Sequence, residues 1–239
     1  MGMWVEYFER CVEALRDSDY STAALALLDA FETDRTILES DVDIVRRELV
    51  RAALGRSTDI RRTLLDRYNT RRTIEHQLES ATADRLYPWR RGPSVSVANL
   101  AEFIPMKAPN GLDSVEAALE GATFREGPRP DLHLLQAALA ACRGKREEML
   151  AAFEHALDAG ADDTKGKLAR FVELEKHALE LGVQLDIQEL LVAVGRAALS
   201  NSGDARRLAE LVKSYTEYLG IPLDPLSQRM IDTQLRNSS

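Results

Sequence analysis

Cysteine is close to absent from this chain of 239 residues: Cys11 and Cys142 are the only two, which excludes a disulfide framework. Each falls on the apolar side of an expected helix, where a thiol acts as a small hydrophobe. A bridge between them would require those helices to meet. Histidine is equally scarce. His76, His133, His155 and His177 are at ligand spacing neither to one another nor to a cysteine, and none is preceded by the Glu-x-x of a helical-bundle carboxylate site. No metal and no cofactor is expected. Nor is there a Gly-x-Gly-x-x-Gly loop, a Walker loop or a nucleophile elbow, so the common nucleotide and hydrolase signatures are missing and no enzymatic activity is expected. The longest apolar run, Ala23 to Leu28, is broken by Asp29 and falls far short of the ~18 residues that span a bilayer. The opening Met-Gly-Met-Trp-Val-Glu has no basic region followed by a long apolar stretch, so it does not read as a signal peptide, and a cytoplasmic location is the expectation.

What the chain does have is helical periodicity, carried mostly by leucine and alanine because aromatics make up only 6% of it. The clearest stretch is a hairpin from Asp131 to Gly160. Its first arm, Leu132 to Cys142, sets Leu135, Ala138, Leu139 and Cys142 on one face. After the turn Arg143-Gly144-Lys145, the second arm sets Met149, Ala152, Phe153, Ala156 and Leu157 at i, i+3, i+4, i+7 and i+8. Two alanine-lined helices pack closely but cannot cover both of their own faces, so flanking helices are required.

Taken in order, the spacing predicts a first helix over Met3 to Arg16, striped by Trp4, Phe8, Cys11 and Leu15, and a second from Tyr20 to about Thr33. A third opens at Ser40, buries Val42, Val45, Leu49 and Ala52, and closes at Gly55. A fourth runs from Ser57 or Thr58 to about Ser80 with Ile60, Leu64, Ile74 and Leu78 inward. Periodicity then fails. Residues 81–130 hold Pro88, Pro93, Pro105, Pro109, Pro128 and Pro130, and only Ser114 to Gly121 reads as helical there; Val95 and Val97, alternating with serines, suit a short extended piece. Beyond the hairpin, Thr164 to Leu181 turns Leu168, Phe171, Val172, Ala178 and Leu179 inward. Asp186 then caps Ile187 to Leu199, Gly203 or Asp204 opens a helix bearing Leu208, Leu211, Val212 and Tyr215, and Asp224-Pro225 starts the last. Leu181-Gly182-Val183-Gln184-Leu185-Asp186 and Leu219-Gly220-Ile221-Pro222-Leu223-Asp224 are two versions of one connection. The fold class is therefore all-α, antiparallel stacked helical hairpins with a long proline-rich irregular segment in the middle. The organisation is an N-terminal stack over 1–80, a connection over 81–130 and a C-terminal stack over 131–239, as two bodies or one continuous domain.

Two resemblances bear on this architecture. Asp19-Tyr20 followed by Ala23, Leu27, Ala30 and Asp34, with Tyr7 and Cys11 upstream, resembles a tetratricopeptide repeat (TPR), whose small-large-small series lets paired helices approach closely. Arg35 stands where that repeat has proline, and no second unit repeats the whole series. In the second half, Ala151-Ala152-Phe153-Glu154-His155-Ala156-Leu157, then His177-Ala178-Leu179-Glu180-Leu181-Gly182-Val183 and Leu190-Leu191, is similar to the all-α immunity protein 49 family, over about a third of the chain. That resemblance implies a protein that neutralises a toxin by occluding its active site.

Charge supplies the candidate contact residues. The chain carries 31 basic and 39 acidic residues, for a formal −8, which argues against bulk attraction to nucleic acid or anionic membrane. Yet Arg46 to Arg91 holds twelve arginines and no lysine against six acids, about +6 locally, leaving about −14 for the rest. Arg61, Arg62, Arg67, Arg71 and Arg72 share the fourth helix, and Tyr87 and Trp89 precede Arg90-Arg91. These nine residues are the candidate partner-binding set. The primary expectation is a non-enzymatic protein-interaction module, with a toxin domain as its partner if the immunity resemblance holds; the acidic balance suits a basic nuclease toxin. The alternative is a nucleic-acid-associated regulator in which aromatics stack on bases while guanidinia hold phosphates. Against both stands pairing of the arginines with Asp59, Asp66, Glu75 and Glu79 along the helix. Glu147, Glu148, Glu154 and the Glu173–His177 neighbours read as solvated surface.

Overall fold

The computed structural model describes residues 3–34, 41–66, 111–163, 165–200 and 202–236, and all regular structure among them is helical. The helices are α1 (Met3–Arg16), α2 (Tyr20–Asp34), α3 (Asp41–Ala53), α4 (60–66), α5 (Gly111–Glu126), α6 (Pro130–Cys142), α7 (Arg146–Asp158), α8 (Lys167–Glu180), α9 (Ile187–Leu199), α10 (Asp204–Leu219) and α11 (Pro225–Arg236). Neighbours in sequence pack in pairs: α1 with α2, α6 with α7, α9 with α10. The chain divides into two compact units, one of residues 1–39 and 62–127, the other of 40–61 and 128–239.

In the first unit α1 lies on α2 and on α5. Cys11 and Ala14 of α1 and Ala23, Leu27 and Ala30 of α2 are buried, so the small-large-small series forms the inner side of α2. Phe8 and Leu15, expected on the same stripe, are half-buried. Tyr20 is buried and donates its hydroxyl to Glu126 Oε1 at 2.8 Å, which fixes the start of α2 to the end of α5. Helix α5 is longer than the expected 114–121. Gly121 does not stop it; Gly127, at φ +70°, and Pro128 do.

The second unit is built on the α6–α7 pair. Pro130 occupies the first turn of α6, where no backbone donor is needed, and nine of its residues from Leu132 to Cys142 are buried. The expected single stripe is thus corrected to burial on nearly all sides, because α3 covers the side that α7 leaves open. The same correction applies to α3. Beside Val42, Val45 and Leu49 it buries Ile44, Arg46, Arg47, Glu48 and Val50, since it lies against both α6 and α8, while Ala52 is only half-buried. On α8 the inward face is centred on Phe171, Leu174, Glu175 and Ala178, which turns Leu179 to the rim. Ring contacts run across three helices: Phe153 of α7 meets Phe171 of α8 edge-on at 6.3 Å, and Phe171 meets Tyr218 of α10 at 6.2 Å. Tyr218 donates to Lys167 O at 3.2 Å, and burial, aided by the charge of Asp163, pushes its hydroxyl well above the usual tyrosine range.

The two similar connections share one geometry. Gly182 (φ +66°) and Gly220 (φ +68°) take the left-handed conformation, and the next amide bonds back five residues, Val183 N–H to Ala178 O and Ile221 N–H to Thr216 O. Asp186 then accepts from the Gln188 and Glu189 amides, and Asp224 from those of Leu226 and Ser227. Each six-residue string stops one helix and starts another.

Candidate functional site

Of the nine candidate contact residues, the structure describes Arg61 and Arg62, on α4. Both are exposed, and Arg62 Nε approaches Asp66 Oδ2 at 3.7 Å with both side chains open to solvent. Such a pair contributes about 0–1 kcal/mol and leaves the guanidinium accessible. Arg67, Arg71, Arg72, Tyr87, Trp89, Arg90 and Arg91 lie outside the described residues, as do Ser40, Ile74, Leu78, His76, Val95 and Val97.

The start of the basic stretch is interior. Arg46 and Arg47 are buried, and Arg51 pairs with Glu48 at 2.7 Å. Arg46 donates from Nη2 and Nε to Glu175 Oε1 at 2.6 and 3.2 Å, and from Nη1 to Asp43 Oδ1 at 3.3 Å. From the other side Arg146 Nε donates to Glu175 Oε2 at 2.8 Å, and its Nη1 to the Val183 carbonyl at 2.6 Å. Glu175 is 0% exposed. Two guanidinia and two carboxylates therefore meet, with Arg46 and Glu175 buried and Arg146 and Asp43 half-buried, and they pin α3, α7 and α8 at one point. Charges in an apolar interior are tolerated only when paired and hydrogen-bonded in this way. The buried carboxylate of Glu175 thus clamps three helices together. Its signal in the sequence is Glu175 within the run Leu168, Phe171, Val172, Ala178, a charge at an inward position.

Elsewhere the acidic residues behave as solvated surface. Glu148 pairs with Lys145 at 2.9 Å, Glu173 with Arg170 at 2.8 Å, and Glu154 with Lys176. Both cysteines are buried and neither forms a disulfide, and burial pushes the Cys11 thiol up to about 12, far from thiolate chemistry. His133 of α6 and His155 of α7 stand ring to ring, centroids 5.4 Å apart and planes tilted by 58°. They lie eleven residues on either side of Gly144, so folding the sequence about that turn would have found the pair. Among the described residues no group of three or more His, Cys, Asp or Glu is placed to hold a metal ion. No described helix is long and apolar enough to cross a membrane.

The most unevenly covered element is α9. It is apolar almost throughout, yet only Leu190 and Val194 are buried. Val192 is 51% exposed and Leu199 90%, seven residues apart and hence on one side of the helix; Leu226, at the start of α11, is 79% exposed.

The class these features define is an all-α protein of paired helices, with a buried Glu175 held by two arginines and an apolar side of α9 left open. No protein-family model matches the chain, and no curated protein and no solved structure matches it.

Proposed function

We propose that the chain is a non-enzymatic protein-interaction module, a TPR-like array of antiparallel stacked helical hairpins, and within that class an immunity protein that binds and occludes a toxin domain. The observation that carries the reading is the open side of α9, where Val192 and Leu199 stand in water beside the buried Leu190 and Val194. Large apolar side chains exposed together at the end of a packed array suit the anchor of a protein–protein interface. The immunity assignment rests on the sequence resemblance, which includes Leu190-Leu191 of this same helix, and on a formal charge of −8 that suits a basic partner. No cofactor or metal is needed for such occlusion.

The test is co-expression with the polypeptide encoded immediately upstream. Rescue of growth and co-purification of the two chains are expected, with both lost in Val192→Glu/Leu199→Glu while the circular dichroism spectrum is unchanged. Failure of the wild type to rescue or to co-purify sinks the immunity reading. The alternative, a nucleic-acid-associated regulator, has lost Arg46 and Arg47 to the interior and retains Arg61 and Arg62 outside. It requires retention on heparin at low salt that Arg61→Glu/Arg62→Glu abolishes.

A further inference from the structure

We propose that His133 and His155 form a two-histidine chelate for a divalent transition-metal ion of the zinc or nickel type on the outer side of the α6–α7 pair. The reading is independent of the partner-binding proposal. Imidazole binds such ions through a ring nitrogen at about 2.0–2.1 Å, which puts the metal ~3.2 Å from the ring centre. Two rings on one tetrahedral ion then have centres ~5.2 Å apart. The observed separation is 5.4 Å, close to what such a chelate requires of the ring centres.

A second observation bears on which nitrogen would bind. His133 Nδ1–H donates to Gln136 Oε1 at 2.9 Å, one turn further along α6. With the proton on Nδ1, the lone pair is on Nε2, and the ring is oriented by an amide carbonyl in the manner of second partners in zinc sites. His133 is half-buried and His155 exposed, so an ion can reach both and retain water at its remaining positions. Zinc and nickel accept imidazole readily, whereas calcium and magnesium prefer oxygen donors, which sets the class of ion. A tilted ring pair held only by dispersion has a similar spacing. The two readings differ in what added metal does.

Titration of the full chain with ZnCl2, and separately NiCl2, by isothermal calorimetry should give one ion per chain. Affinity should fall at least tenfold in His133→Ala and again in His155→Ala, and stay at the wild-type value in His76→Ala and His177→Ala. Gln136→Leu should weaken binding severalfold, and zinc should shift the Nε2 resonance of His133 in nitrogen-15 spectra. Melting curves without metal identify any variant that fails to fold; in that event, His133→Gln and His155→Gln replace it. Binding that survives both alanine variants, binding through one histidine alone, an ion shared between two copies, or no binding by the wild type at millimolar metal would each overturn the proposal.

Discussion

Helices α6 and α9 are the same length, 13 residues, and both are written chiefly in aliphatic residues, leucine and alanine above all, yet α6 buries nine residues and α9 two. Composition does not distinguish them; neighbours do. Helix α6 is held between α7 and α3, whereas the principal neighbours of α9 are α10 and α11. An apolar helix in the middle of a stack spends its side chains on folding, and one near the end keeps some for another molecule.

The largest effect expected on the covered side comes from the clamp. Glu175→Ala removes the main counter-charge of the buried Arg46 and of the half-buried Arg146 and should cost about 3–5 kcal/mol, read as a fall in urea midpoint at constant slope. Loss of under ~1 kcal/mol would mean that water reaches this cluster and that α3 is not sealed against α8. Next is Leu135→Ala on α6, at about 2–5 kcal/mol, since a fully buried leucine between two helices leaves a cavity. A smaller change should follow acid. Bonds from the Ser227 hydroxyl and the Ser227 and Leu226 amides hold the Asp224 carboxyl below the usual aspartate range. Because the folded value is the lower one, the contribution of this cap is complete above the ordinary value of ~3.9 and is lost as pH falls through the depressed one. Amide exchange at Leu226 and Ser227 should therefore quicken, relative to that in α6, as the solution is acidified. The smallest effect belongs to Leu199→Ser, within about 0.5 kcal/mol of wild type. A large loss there would show that α9 is as fully used in folding as α6, and the contrast would collapse.

Much of the helical layout could be read in advance, because local signals set it. Tyr20, Asp186, Asp204 and Pro225 begin or cap helices where turn chemistry and spacing place them, and Gly182 and Gly220 end helices because a left-handed residue is required there. The buried side of a helix is less legible, since one stripe is expected where α3 and α6 are covered on nearly all sides. Periodicity reports the main contact of a helix and is silent about a second or third neighbour. The candidate site was the least legible. Glu175 and Arg46 are 129 positions apart, and nothing local announces their meeting. The contact of His133 with His155 lies across the turn at Gly144, where spacing along the chain does not display it.

The pairing of Arg46 with Glu175 also sets a timetable. On the ribosome, α3 emerges with its guanidinium exposed, and the carboxylate that neutralises it is made only after 129 further residues, among them residues 62–127 of the other unit. Synthesis thus leaves this helix with only Asp43 as a local counter-charge until α8 has been made.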